Sequence, residues 1–174
     1  MVRHGALLVV LLAVISLPSP AQESESCAAW MESVRDYDLA FERVMKGEPD
    51  ELLRLVEEAR EPERRIAARE TIGKKVAGLR DIDPPRELAA MHGKLLAYAE
   101  AVAHAVENAG PTEPGTKVPV PRACIGRLLD YYVALRDLMV KHDCRGGDLE
   151  ALENQVIPRL EQLLVEPPPA RTTE

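Results

Sequence analysis

The stretch that decides the fold is Cys124–Cys144, CIGRLLDYYVALRDLMVKHDC. Its apolar residues recur at alternating steps of three and four, which is the spacing of one face of an α-helix. The residues on this face are Ile125, Leu128, Tyr132, Leu135, Met139 and His142. A helix with such a face needs partner helices to cover it, so this stretch predicts a helical bundle.

Two other stretches have faces with the same spacing and supply those partners. Their apolar positions are Cys27, Trp30, Val34, Tyr37, Phe41 and Val44 in the first, and Leu88, Met91, Leu95, Tyr98 and Val102 in the second. The chain is rich in Ala, Leu, Glu and Arg and poor in aromatic residues, which favours helices over strands. We therefore predict an all-α fold, an up-and-down helical bundle of four to five antiparallel helices.

Proline and glycine divide the predicted bundle into segments. The predicted helices are 26–46, 50–80 with a break at Pro62, 85–108, 122–144 and 149–165. The sequence leaves open whether 50–80 is one kinked helix or two, and it predicts that the glycines after Arg145 cap the fourth helix. The predicted core is Trp30, Val34, Phe41, Leu88, Leu95, Val102, Leu128, Tyr132, Leu135, Leu152, Val156 and Leu160.

The two ends of the chain differ in composition from the bundle. Ala6–Leu17 is an apolar run, and Ser19–Ala21 offers small residues for cleavage, so 1–21 is predicted to be a signal peptide. The run is shorter than the roughly 20 residues that span a bilayer, so no stable membrane anchor is expected after cleavage. The bundle domain is predicted at 22–166 and a disordered Pro-rich tail at 167–174. The mature protein is expected to be secreted or periplasmic.

The three cysteines of an exported chain indicate one disulfide and one spare thiol. Cys124 and Cys144 lie about 30 Å apart on one predicted helix, too far to pair, so Cys27 must be a partner. If 50–80 is one kinked helix, the alternating helix directions bring Cys27 and Cys144 to the same end of the bundle, and this pair is our prediction. Two antiparallel helices in that region would favour Cys27–Cys124 instead.

Charge and motif content exclude several function classes. Asp and Glu number 29 against 22 Lys and Arg, a net charge of −7, which disfavours binding to nucleic acid. The sequence contains no nucleophile elbow, zinc-protease motif, phosphate-binding glycine loop or paired C-x-x-C. An enzyme is therefore the third choice among the function classes.

The histidines and Met31 supply the one ligand set that the sequence predicts. His92 falls on an apolar helix face, and the helix directions place it near the same end as His142, Cys27 and Met31. Imidazole and thioether groups suit copper or zinc. A metal site formed by His92 and His142, with Met31 as a third ligand, is therefore a hypothesis, and no other cofactor is predicted. The alternative is that both are ordinary core histidines, each satisfied by a hydrogen bond.

The functional expectation follows from these exclusions. The leading hypothesis is an exported, non-enzymatic protein that binds a protein or small-molecule partner through a groove or through the charged face of 50–80. The second is a bundle that binds a small molecule or a transition metal. The sequence names neither the partner, the ligand nor the oligomeric state.

Overall fold

A computed structural model describes residues 24–110 and 120–165, and within these ranges all regular structure is helical. The helices are α1 (Glu25–Met45), α2 (Leu52–Glu58, after a 3₁₀ turn at Pro49–Glu51), α3 (Pro62–Arg80), α4 (Ala89–Glu107), α5 (Arg122–Lys141), α6 (Gly147–Ala151), a π-helical turn (Leu152–Val156) and α7 (Ile157–Val165). The prediction of an all-α bundle is confirmed. The predicted signal peptide, 1–21, and the predicted tail, 167–174, lie outside the described residues.

Helix α4 lies at the centre of the bundle. It contacts α2, α3 and α5, while α1 packs on α3 and α7 packs on α5. The predicted core residues are buried as expected, except that Val156 is half-buried at the edge of the core. No helix in the described part of the chain is long and apolar enough to cross a membrane.

The hydroxyl of Ser24 joins the start of α1 to the end of α5. It accepts a hydrogen bond from the Cys27 N–H at 3.1 Å, which makes Ser24 the N-cap of α1. The same hydroxyl donates to the carbonyl of Asp143 at 3.0 Å. At the other end of α1, the ammonium group of Lys75 donates to the carbonyl of Met45, which would otherwise lack an intrahelical partner.

Helix α5 ends before the predicted glycine cap. Asp143 takes the left-handed conformation with φ of 54° and donates its N–H to the Val140 carbonyl at 3.1 Å. The Cys144 N–H then reaches back to the Met139 carbonyl at 2.8 Å. These two bonds form a Schellman motif, in which aspartate replaces the usual glycine. The prediction that glycine caps this helix is therefore wrong, and the turn at Asp143 directs Cys144 towards α1.

The start of α4 and the last described helical segment also depart from the prediction. The Leu88 N–H donates to the Pro85 carbonyl at 2.8 Å in a separate turn, so α4 begins at Ala89 instead of 85. In the last segment, Pro158 has no N–H for the helix ladder and its ring crowds the preceding turn. That turn is π-helical, with the Ile157 N–H bonded to the Leu152 carbonyl.

Residues 49–80 form two helices rather than one kinked helix. The Tyr98 hydroxyl donates to the Pro49 carbonyl at 2.8 Å, so the 3₁₀ turn before α2 lies level with the middle of α4. Arg69 in α3 donates to the carbonyl of Glu107, the last residue of α4, at 2.9 Å. Leu79, near the end of α3, binds His92 near the start of α4, so α3 runs antiparallel to α4 and begins near the Glu107 end.

Helix α2 therefore runs in the direction of α1, and the chain reverses only at Ala59–Glu61. The number of reversals between Cys27 and Cys144 stays the same as for a single antiparallel helix. The two half-cystines meet as predicted, with a Cα–Cα distance of 4.9 Å across 117 residues of sequence. Cys124 is the free, buried cysteine. The predicted pairing is confirmed. It was predicted from a single kinked helix at 50–80, whereas the structure has two helices there.

The close approach of α1 and α3 depends on Gly78. A β-carbon at this position would lie 2.9 Å from both methyl carbons of Val44, closer than real contacts allow. Gly73, five residues earlier in the same helix, has no atom within 4 Å of the equivalent point. The two glycines thus form a matched pair, one in a tight contact and one in the open.

We expect Gly78→Ala to lower the free energy of unfolding by about 1–3 kcal/mol, because Val44 must move to admit the methyl group. Gly73→Ala should raise it by about 0.5–1 kcal/mol, since alanine is the better helix former. Urea denaturation followed by circular dichroism measures both changes. Adding Val44→Ala to Gly78→Ala should recover part of the loss, and equal effects of the two glycine substitutions would contradict the close contact.

Candidate functional site

Polar side chains from three helices and one loop come together inside the bundle. Tyr37 and Asp38 lie on α1, Glu48 in the loop after it, His92 on α4 and Tyr131 on α5, and all five are buried. We call these five residues the interior polar cluster. Among the described residues, Asp38, Glu48 and His92 are the only charged or imidazole side chains buried as deeply as the core.

The helix periodicity explains how Asp38 comes to be buried. Met31, Asp38 and Met45 are spaced by seven residues, so the carboxyl group lies between two methionines on one edge of the apolar face of α1. Tyr37, the preceding residue, lies nearer the middle of that face. Two neighbouring residues of α1 therefore reach the interior together.

His92 is held by hydrogen bonds on both sides of its ring. Its Nε2 lies 3.0 Å from the Leu79 carbonyl, and its Nδ1 lies 3.1 Å from the Tyr37 hydroxyl. A carbonyl can only accept, so Nε2 carries the proton and the Tyr37 hydroxyl donates to Nδ1. Burial lowers the pKa of His92 more than the bond to the Leu79 carbonyl raises it. His92 is therefore a neutral imidazole with both ring nitrogens engaged.

Asp38 has no such partners. Its side chain is only 5% exposed, and neither carboxyl oxygen has a hydrogen-bond partner. Burial, and secondarily the charge of Glu42, raises the pKa of Asp38 to about 6. Above that pH the interior holds a carboxylate that no protein group solvates, which is costly unless another donor is supplied.

The Tyr131 hydroxyl is the second unpaired group of the cluster. It is fully buried and has no hydrogen-bond partner. Burial raises the pKa of Tyr131 well above its usual value, and the nearby Tyr132, Tyr37, Glu48 and Asp38 raise it further. A phenol and a carboxyl group, both without partners, thus lie within electrostatic range of each other.

The other two tyrosines of the chain border the cluster. The rings of Tyr131 and Tyr132 are 5.1 Å apart at an angle of 54°. Burial, and then the charges of Asp50 and Glu48, raises the pKa of Tyr132 far above its usual range. Tyr98, whose hydroxyl binds the Pro49 carbonyl, also feels the charge of Asp50. The tyrosine rings and the buried carboxyl groups of Asp38 and Glu48 therefore occupy one region of the interior, and the exposed Asp50 lies near it.

His142 lies in a different environment from His92. Its ring stacks on Trp30 with centroids 4.9 Å apart and planes within 7°, close to the disulfide. Its Nε2 is 3.5 Å from a carboxyl oxygen of Glu87 but makes no hydrogen bond. Met31 is half-buried and packs against the edge of the core.

The predicted metal ligands thus have separate neighbours. Tyr37, which contacts His92, and Trp30, which contacts His142, are seven residues apart on α1, or about 10 Å along the helix axis. In residues 24–110 and 120–165 there is no group of three or more His, Cys, Asp or Glu side chains that could hold a metal ion. A copper or zinc site formed by His92, His142 and Met31 stays a prediction, and copper and zinc are included in the experiment below.

Sequence reasoning found His92 but missed Asp38, Glu48 and Tyr131. The signal for Asp38 was its heptad spacing between two methionines, which marks an inward position for a charged residue. Nothing comparable marks Glu48, because it lies in a loop whose path depends on where α2 packs. The cluster as a whole can accept hydrogen bonds at the Asp38 carboxylate and at its phenol oxygens, and can donate one from Tyr131.

Comparisons with protein-family models, with curated proteins and with solved structures find no match to this chain.

Proposed function

We propose that this protein is an exported binding protein that holds a small ligand at the interior polar cluster. The observation that carries the proposal is the buried Asp38 carboxyl group, whose two oxygens lack partners, together with the unpaired Tyr131 hydroxyl within its electrostatic range. Leaving such groups unpaired costs free energy in the ligand-free protein. A ligand that donates hydrogen bonds to Asp38 recovers that cost on binding.

The state of His92 supports binding over proton-transfer chemistry. Its protonated nitrogen is tied to the Leu79 carbonyl and its other nitrogen accepts from Tyr37. A general base needs a nitrogen directed at the reacting group. In this cluster the imidazole instead holds the Tyr37 ring in place, which is a positioning role.

The disulfide supports the proposed export. Disulfides form and persist in oxidising compartments such as the periplasm and the extracellular space. The Cys27–Cys144 bond is consistent with that setting, as is the signal peptide predicted at 1–21. A secreted or periplasmic location is thus part of the proposal.

A thermal-shift experiment on the chain that begins after Ala21 tests the binding site. The panel contains small organic cations, organic anions, polyols, Cu(II) and Zn(II). We expect one class of organic compound to raise the thermal midpoint of the wild-type protein but not that of Asp38→Asn or Tyr131→Phe. Asp36→Asn is the matched control, because Asp36 is an exposed aspartate two residues away on the same helix.

Three results would contradict the proposal. They are the absence of any shift across the panel, a shift that both cluster variants retain, and a shift produced by Cu(II) or Zn(II) alone. A metal-dependent shift that disappears in a His92→Ala/His142→Ala double variant would support the metal-binding alternative instead.

A further inference from the structure

Building on the proposed function, we infer that the ligand of the interior polar cluster is a small protonated amine, bound through its N–H groups to the Asp38 carboxylate among the tyrosine rings. The inference concerns the chemical class of the ligand, and three features of the cluster point to it. They are its charge, its hydrogen-bonding capacity and its aromatic rings.

The charge that a ligand would meet in the cluster is that of Asp38. Its carboxyl group is buried without a hydrogen-bond partner, and His92 is neutral. The Asp38 carboxyl group also acts electrostatically on the Tyr131 hydroxyl, although less than Tyr132, Tyr37 and Glu48 do. A ligand with one positive charge neutralises the buried Asp38 carboxylate, whereas an anion would add to the repulsion.

The hydrogen-bonding capacity of the cluster is mainly that of an acceptor. Asp38 presents two carboxyl oxygens without partners. The Tyr37 hydroxyl donates its hydrogen bond to His92, so it can only accept a hydrogen bond from a ligand. The Tyr131 oxygen can accept one as well. A primary ammonium group has three N–H donors and no acceptor. Charge-assisted bonds of this kind are the strong ones in proteins.

Aromatic rings belong to the cluster and border it. The Tyr131 and Tyr132 rings meet at 54°, and the Tyr37 ring stands edge-on to His92 with centroids 5.7 Å apart. The faces of aromatic rings attract organic cations through their quadrupole. They also contact the alkyl part of an amine, which favours an organic ammonium ion over a hydrated inorganic ion.

A buried water molecule is the rival occupant, because a single water could bridge Asp38 and the Tyr131 hydroxyl. It differs from an amine in carrying no charge. A series of small probes that differ in charge and in hydrogen-bond donors therefore separates the two explanations, and propylammonium and 1-propanol within it are isosteric. Propylammonium has both charge and N–H donors, tetramethylammonium has charge alone, and 1-propanol has a donor but no charge.

Isothermal titration calorimetry of the chain that begins after Ala21, at about pH 7.5, gives the decisive comparison. We expect propylammonium to bind at least about tenfold more tightly than tetramethylammonium or 1-propanol. Asp38→Asn should weaken propylammonium by about tenfold or more, and Asp36→Asn should leave it unchanged. Lowering the pH to about 5 should weaken it similarly, because Asp38 becomes protonated below its pKa of about 6 while the amine keeps its charge.

The outcomes separate this inference from the proposed function. Two outcomes would show that the ligand is not an amine while leaving the proposed binding function in place. In the first, 1-propanol binds as tightly as propylammonium. In the second, none of the three probes binds, but another compound of the panel binds through Asp38. If propylammonium binds Asp38→Asn as tightly as wild type, both the inference and the proposed function are overturned at this site. Unfolding of Asp38→Asn would not explain a loss of binding, because removing the buried charge is expected to stabilise the protein.

Discussion

Replacing both half-cystines, by Cys27→Ala with Cys144→Ala, is expected to lower the free energy of unfolding by about 2–5 kcal/mol, the largest change that we predict for this protein. The reason is the length of the loop that the bond closes, which spans 117 residues of sequence. Without the bond, the unfolded chain gains the freedom to separate these ends. In the folded state the Ser24 hydroxyl and the Trp30–His142 stack still hold the same end of the bundle together.

Urea denaturation under non-reducing conditions measures this loss. Cys124→Ala is the control, because it removes a buried thiol and leaves the disulfide intact. Adding dithiothreitol to the wild-type protein should reproduce the effect of the double variant. Equal stability of wild-type protein with and without the reductant, after complete reduction is verified by mass spectrometry, would contradict the prediction.

Asp38→Asn is expected to raise the free energy of unfolding by about 2 kcal/mol at about pH 7.5 and to change it little at about pH 4. The pKa of Asp38 is about 6 in the folded protein against 3.8 for an ordinary aspartate, so folding disfavours the ionised form. This penalty is present above pH 6 and fades as the pH falls towards 4. The asparagine amide also lacks partners in the interior, which keeps the gain below the full effect of removing the charge.

Denaturation curves for wild type and Asp38→Asn across this pH range give the test. Asp36→Asn is the matched control and should change the free energy of unfolding much less at about pH 7.5, because the Asp36 side chain is exposed. A wild-type protein more stable than Asp38→Asn at neutral pH would mean that a protein group already solvates the carboxylate. That result would also remove the main argument for a ligand at the cluster.

The carboxyl group of Asp38 thus links stability to the proposed function. A residue that destabilises the ligand-free protein and supplies the main contact for a ligand is a common arrangement at binding sites. The expected gain in stability and loss of amine binding in Asp38→Asn are two independent readouts of the same unpaired group.

The sequence by itself determined the helices and the residues that they bury. The spacing of apolar residues is a local property of Cys124–Cys144 and of its two partner stretches. It therefore predicts which face of each helix is buried, whichever neighbouring helix packs on that face. The same local geometry excluded a Cys124–Cys144 bond, because the rise of a helix sets the distance between two residues within it. These predictions needed no knowledge of how the helices are arranged.

Only the tertiary structure decided which side chains meet. The direction of α2 depends on where Pro49 contacts Tyr98 in α4, and no local pattern encodes that contact. The environments of His92 and His142 differ because each packs against a different aromatic ring of α1. Likewise, the spacing of Asp38 indicates an inward edge, but its lack of a partner depends on what α4, α5 and the loop after α1 place beside it. Hydrogen bonds are short and directional, so they are decided by interhelical placement that periodicity does not specify.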